Sequence, residues 1–277
     1  MEPRDLLRRR RDRPLLTRPG RWGRGPPAGF RVAIARTPDK TADLTGRGVE
    51  VRRGDYDDAA SLDTALKGVD LLLLVSGSDL TPGVRVVQHR TVLERAVRAG
   101  VRHVVYTSGI GAENGQGFSA DHAATEEMIG ESGLTYTLLR NTFYSEAFVA
   151  TALAQAKETG EIVSSTEGRP LNTARLRDLA LAAGAVLSGS GHDNAIYELR
   201  GPLWTYPELA EALARVLRRP VTCREVTDAE AGWLGSLFPM VRAGAFAQTG
   251  PDLSRLLGRP ATGLEDTITA FAERAGG

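Results

Sequence analysis

The side chains best suited to chemistry in this chain fall in five short clusters, each directly after an apolar run. They are Arg36, Asp55-Tyr56, Ser76-Gly77-Ser78, Thr107-Ser108 and Asn141-Thr142-Phe143-Tyr144. In an open α/β sheet, ligands bind in the crevice beyond the carboxyl ends of the strands. Any one cluster alone is an ordinary turn. Recurrence at every visible strand end suits an extended cofactor laid across the sheet edge. Arg36 makes the sharpest statement. The residue ending the second strand of a dinucleotide-binding unit meets the ribose 2′ position, where an acid selects NAD and an Arg accommodates the phosphate of NADP. The expected cofactor is therefore NADP(H).

Residues for proton transfer are harder to name. No Tyr is followed four residues later by Lys, so the proton-donor pair of ordinary short-chain dehydrogenases is absent. His122 and Glu126 lie four apart and share one helical face. Lacking a third ligand, they predict no metal site. His122 reads either as a contact to a nicotinamide ribose or proton relay, or as a surface His capping a helix. His122 and Tyr144 are the catalytic candidates, and the catalytic residue is otherwise unassigned. Glu126-Glu127 reads as a solvated face, and Cys223 as packing.

The elements that must position these residues follow a regular alternation. Strands are expected at 31–35, 49–51, 69–75, 101–107 and 136–140, with helices at 39–46, 61–67, 83–99 and 119–132. Ser61 is the expected cap of the second helix. In the third, Val84, Val87, Thr91, Val92, Arg95 and Ala96 recur at helical spacing, and Gly100 closes it. The run Val69–Val75 is nearly unbroken in apolar character, as expected of a parallel strand covered on both faces. This pattern predicts an α/β fold with a doubly wound parallel sheet of Rossmann type. Beyond residue 145 a smaller α+β part is expected, with helices at 172–187, 206–217, 252–257 and 264–275 and strands at 195–199 and 221–226. The apolar segment 233–247 reads as a flexible lid or a packing segment. The expected division is 1–28, 29–145 and 146–277.

The N-terminus breaks the pattern. A first strand, glycine turn and helix normally occupy roughly 30 residues before the second strand. Here those positions hold an Arg-rich segment in which no G-x-G-x-x-G or G-x-x-G-x-x-G follows an apolar run. Two readings account for it: a solvated tail, or an out-of-frame translation of a normal first unit with the frame regained near Pro27-Ala28. A nucleic-acid or membrane arm is the weaker third, since Trp22 alone accompanies the charge. Residues 1–31 hold ten Arg and three acids, which leaves 25 basic and 31 acidic residues in 32–277. The body is thus mildly acidic, which argues against nucleic acid as its partner. No apolar run approaches the ~20 residues that span a bilayer, and no signal-peptide core follows the basic start. One cysteine excludes an internal disulfide. A cytoplasmic protein is expected, and the Ala-, Gly- and Arg-rich composition suggests a bacterial one.

Four stretches carry a family resemblance: VRRGDYDDAASLDTALKGVDLLLLVSGSD, QHRTVLERAVRAGVRHVVYTSG, HAATEEMIGESGLTYTLLRNTFYSEAF and IYELRGPLWTYPELAEAL. Together they resemble the NmrA-like family of atypical short-chain dehydrogenases, in particular its NAD(P)H:quinone oxidoreductase branch, from about Ala28 to the C-terminus. The resemblance implies that Arg36 meets the adenosine phosphate and that Asp55-Tyr56 lie beside the adenine. It further implies that Val75, Ser76 and Gly77 follow the cofactor backbone, that His122 reaches the nicotinamide ribose, and that Asn141 to Tyr144 flank the substrate pocket. Two departures stand out: the glycine loop is gone, and 231–247 is short. The implied reaction is hydride transfer from NADPH to a small quinone-like electrophile, impaired here by the missing loop. The alternative is a sensor that binds NADP(H) and a protein partner without turnover.

Overall fold

The computed structural model describes residues 31–274. The expectation that residues 1–27 form no strand–glycine turn–helix lies outside that range. Within it the chain runs β1 (Val32–Ala35), α1 (Ala42–Thr45), β2 (Glu50–Arg53), α2 (Ala59–Ala65), β3 (Leu71–Leu74), α3 (Val84–Ala99), β4 (His103–Gly109), α4 (Ala120–Glu131) and β5 (Thr135–Asn141). It continues α5 (Ser145–Thr159), β6 (Glu161–Ser164), β7 (Leu171–Asn172), α6 (Leu176–Ser188), β8 (Ala195–Leu199), β9 (Leu203–Trp204), α7 (Tyr206–Leu217), β10 (Thr222–Glu225), α8 (Phe238–Arg242), α9 (Asp252–Leu257) and α10 (Leu264–Arg274).

Strands β3, β4, β5 and β8 form one parallel sheet in that order. The α/β expectation is met. Strands β1 and β2 make a separate parallel pair, and among the described residues no ladder joins β1 to β3. In the doubly wound order 3-2-1-4-5-6, that break falls where the strand preceding β1 in sequence belongs. The last strand of the sheet, β8, comes from the second half of the chain, so that half builds on the sheet as well as beside it.

Alternation along the strands explains the two covered faces. Val104, Tyr106 and Leu138 pack on one side with Val92, Leu93 and Ala96 of α3 and Ile129 of α4. Val105 and Leu139 point the other way, onto Leu179, Ala182 and Val186 of α6 and Leu253 of α9. This period of two, with both faces apolar, is what makes the strand sequences read as unbroken apolar runs. A third cluster joins α5 and α7 to the 234–246 segment, through Phe148, Leu153, Leu209, Leu213, Leu234, Phe238 and Val241. Segment 233–247 is therefore a packing element, with five of its apolar side chains buried.

Three local expectations are corrected. Helix α2 is capped by Asp58, whose carboxylate accepts from the Ser61 N–H at 3.1 Å; Ser61 lies within the first turn. The carboxylate outcompetes the Ser because it stands at the extended residue just before the helix. The buried stripe of α3 is Arg85, His89, Val92, Leu93 and Ala96, while Val87 is 65% exposed. Two polar side chains turned inward rotate that helix away from its most obvious apolar stripe. Helix α5 and strand β6 were not anticipated, because the Ala- and Thr-rich stretch 145–159 shows a weak apolar contrast between its faces.

Gly201 permits a close chain crossing, since a Cβ there would stand 1.8 Å from the Thr173 carbonyl oxygen. Gly201→Ala should lower unfolding free energy by about 3 kcal/mol in urea titration, or prevent folding. Gly184, exposed within α6 with open space around it, supplies the contrast: Gly184→Ala should raise stability by about 0.5–1 kcal/mol. Equal effects at the two positions would contradict this packing.

Candidate active-site crevice

The carboxyl ends of β3, β4 and β5 form one edge, the end of the β1–β2 pair is tied to it through Tyr56, and the sequence-predicted residues lie at these strand ends. Arg36 follows β1, is exposed, and has no carboxylate partner among the described residues. After β2, the Tyr56 hydroxyl donates to the Val75 carbonyl at 2.9 Å, tying two neighbouring strand ends; burial pushes the Tyr56 phenol up to about 12. Val75 itself is 53% exposed. The Ser76 N–H donates to Thr107 Oγ1 at 2.9 Å, which couples the ends of β3 and β4. At the far end Tyr144 is 42% exposed, and the Phe143 and Phe246 rings meet at a tilt of 59°, centroids 4.9 Å apart. Ser108 and Thr142 are buried: their hydroxyls donate to Glu126 at 2.6 Å and to the Asn172 carbonyl at 3.1 Å. Asn141 ends β5, and its carbonyl accepts from the Ile110 N–H at 3.0 Å.

Behind this edge lies a polar layer that the sequence did not disclose. The Gly77 N–H donates to His89 Nε2 at 3.0 Å, and His89 Nδ1 is 2.9 Å from Thr125 Oγ1. A backbone N–H can only donate, so Nε2 is the acceptor and the His89 proton sits on Nδ1. The Thr125 hydroxyl passes its own proton to the Asp121 carbonyl at 2.8 Å. His89 thus fixes the end of β3 from within α3. Burial, with His122 and Arg85 nearby, pushes the His89 imidazole down to about 4.

His122 is half-buried, not a surface cap. Its Nδ1 is 2.9 Å from the Tyr106 hydroxyl, and burial with Arg85 close by lowers its pKa to about 4. The ring packs on Gly109, where a Cβ would approach Cδ2 to 2.9 Å; glycine is what lets the imidazole reach the sheet edge. One turn on, Glu126 overturns its reading as a solvated face. It is buried and accepts from Arg140 through both oxygens, at 3.0 and 2.7 Å. Arg140 also meets Glu113 at 3.0 Å and Glu198 at 3.7 Å. A lone Glu-Glu pair gives no sign of this, because its partner lies on a strand 14 residues later.

Among the described residues no three His, Cys, Asp or Glu side chains group to hold a metal, and no helix is long and apolar enough to cross a membrane. A separate cleft of about 510 Å³ lies between α7, residues 202–204 and the start of α10; none of the strand-end clusters lines it.

Comparison with known proteins fits this geometry. Residues 28–194 match the family described as NAD(P)H-binding. The chain belongs to the NAD(P)H-binding, NmrA-like family. Quinone oxidoreductase 2 of Escherichia coli is 36% identical over 259 residues, covering 88% of this chain and 90% of that protein. The structure of Citrobacter sp. triphenylmethane reductase complexed with NADP(H) superposes with a TM-score of 0.83 at 34% identity, over 89% of this chain and 92% of that one. The NADPH-dependent quinone oxidoreductase of Escherichia coli, solved with NADPH, gives 0.78 at 35% identity, over 87% and 89%.

Two stability predictions follow from the polar layer of this NmrA-like protein. The folded state keeps His89 and His122 neutral down to about pH 4, whereas the unfolded chain protonates them near 6.5. Their contribution is complete above pH 6.5 and is lost as pH falls toward 4. The urea midpoint should therefore drop between pH 7.5 and pH 5, with a shallower drop in His89→Gln; a midpoint that does not move would refute it. Glu126→Ala leaves a buried guanidinium with only its more exposed partners, and should lower unfolding free energy by about 3 kcal/mol in the same assay. A loss below about 1 kcal/mol would show that the pair is not the anchor its burial suggests.

Proposed function

We propose that this protein is an NADPH-dependent reductase that delivers hydride to a quinone or a comparable conjugated electrophile. The observation that carries this reading is the row of polar strand ends, from Arg36, which has no carboxylate partner among the described residues, to the exposed Tyr144 ring, on a chain of the NAD(P)H-binding family. The edge has the chemistry such a cofactor requires. An exposed arginine at the end of β1 suits a 2′-phosphate, and exposed apolar surface at Val75 and Tyr144 suits flat rings. The names of the similar quinone and triphenylmethane reductases point to the same class of acceptor.

In this reading Arg36 binds the 2′-phosphate, Asp55 and Tyr56 border the adenine, and Val75 to Gly77 run beside the cofactor backbone. Thr107 and Asn141 to Tyr144 border the nicotinamide and the acceptor. Ser108 and Thr142 serve from beneath, by fixing the ends of β4 and β5 through their buried hydrogen bonds. Bound NADPH supplies the hydride; the protein orients the two reactants and excludes water. The sequence before β1 contains no G-x-G-x-x-G or G-x-x-G-x-x-G motif for the pyrophosphate. A helix N-terminus with free backbone N–H groups is the usual anion site there, so affinity is reduced in this chain.

Three measurements test the reading. NADPH with a soluble quinone should be oxidised above the rate of a heat-inactivated control. Cofactor binding without turnover would instead favour the sensor. By calorimetry NADPH should bind in preference to NADH by about 10- to 100-fold, and Arg36→Ala should erase that preference. Equal affinity for both in the unsubstituted chain would remove Arg36 from its role. Absolute NADPH affinity should be weaker than micromolar; micromolar binding would show that the glycine turn is dispensable here.

A further inference from the structure

Tyr106 is fully buried within β4; its hydroxyl lies 2.9 Å from His122 Nδ1, with the Thr125 side chain as a second polar neighbour. Burial raises the phenol pKa, so its proton stays on oxygen. The acceptor set at 2.9 Å from that hydroxyl is Nδ1, whereas Thr125 Oγ1 is already engaged by His89 Nδ1 and by the Asp121 carbonyl. Were Nδ1–H to donate instead, the phenolic proton would be left only Thr125 Oγ1, which already accepts from His89, and the close bond to Nδ1 would lose its best-placed donor. Tyr106 therefore donates, Nδ1 accepts, and the single proton of the neutral imidazole lies on Nε2.

The opposite edge of the ring faces the strand end. A Cβ at Gly109 would stand 3.2 Å from Nε2, so the N–H group lies beside the last residue of β4. Among the described residues Nε2 has no hydrogen-bond partner. The charged groups around the ring are Arg85 and Asp121, paired at 3.3 Å, with His89 behind them. Arg85 and burial oppose an imidazolium and Asp121 favours one, the balance lying with the neutral ring.

We propose that Tyr106 positions His122 as a neutral Nε2–H donor to the oxygen of the electron acceptor, an assignment that rests on the reductase reading above. Hydride addition to a quinone places two electrons on the acceptor and negative charge on a carbonyl oxygen, while the nicotinamide is oxidised. A fixed N–H aimed at that oxygen stabilises the charge as it develops. A neutral imidazole suffices for this, because it donates a hydrogen bond without surrendering its proton. Water then supplies the proton that completes the hydroquinone, and His122 ends in the state in which it began. Tyr106 touches neither reactant; it acts through the ring it orients.

The tautomer can be read without cofactor. In the full chain labelled with ¹⁵N-histidine at pH 7, His122 should show a protonated Nε2 and a bare, hydrogen-bonded Nδ1, its signals assigned by their loss in His122→Asn. Tyr106→Phe should release the lock, and the two nitrogen shifts should move toward a common averaged value. An Nδ1–H pattern in the unsubstituted protein, or an unchanged pattern in Tyr106→Phe, overturns the proposal. If Tyr106→Phe does not fold, the unsubstituted spectrum alone decides the tautomer. With NADPH and quinone, Tyr106→Phe should lower kcat about tenfold, the effect of one transition-state hydrogen bond, with KM for quinone changed less than twofold. A change in KM with kcat intact overturns the donor role. The expected tautomer without any turnover in the unsubstituted protein would tell against the reductase reading and the donor role with it. Turnover with the opposite tautomer would overturn this proposal alone.

Discussion

The paired charges of Arg140 and Glu126 hold α4 against the carboxyl ends of β4 and β5, and much of the crevice depends on that contact. Two parallel hydrogen bonds between a planar guanidinium and a carboxylate fix direction as well as distance. In a buried setting their loss would leave an uncompensated charge, so the helix has little freedom to slide or rotate. Ser108 on β4 joins through Glu126, and Glu113 and Glu198 join through Arg140. His122 stands one turn earlier on the same helix. Its place over Gly109 follows from the way α4 is pinned.

A second layer of buried polar contacts works the same way at the end of β3. Donation runs from the Gly77 N–H through His89 and Thr125 and ends on the Asp121 carbonyl. Neutral histidines suit this work because each carries one donor and one acceptor, so a fixed neighbour at one nitrogen decides the role of the other. The crevice residues are thereby held by groups that the crevice does not expose.

What could be read from the sequence, and what could not, divides along this line. Strand ends were legible because a parallel strand covered on both faces is an apolar run, and the first polar residue after it must lie at the edge. Arg36, Tyr56, Ser76 and Tyr144 are where that rule puts them. Glu126 was misread, and His89 and Tyr106 went unremarked, because each owes its role to a partner on another element. One signal was present for His89: with Arg85 it occupies the same helical stripe as Val92, Leu93 and Ala96, and polar side chains on a buried face require partners. Helix α5 went unseen because alanine and threonine at so many positions leave little contrast between its faces.

The central claim is that the cofactor lies along the carboxyl edge of the sheet, and not in the cleft beside α7. Hydrogen–deuterium exchange of the full chain, with and without saturating NADPH, tests this most directly. The account predicts added protection in segments 36–37, 54–57, 75–78, 107–110 and 141–145, with residues 202–204 and 262–267 unchanged. Protection confined to 202–204 and 262–267 would contradict it.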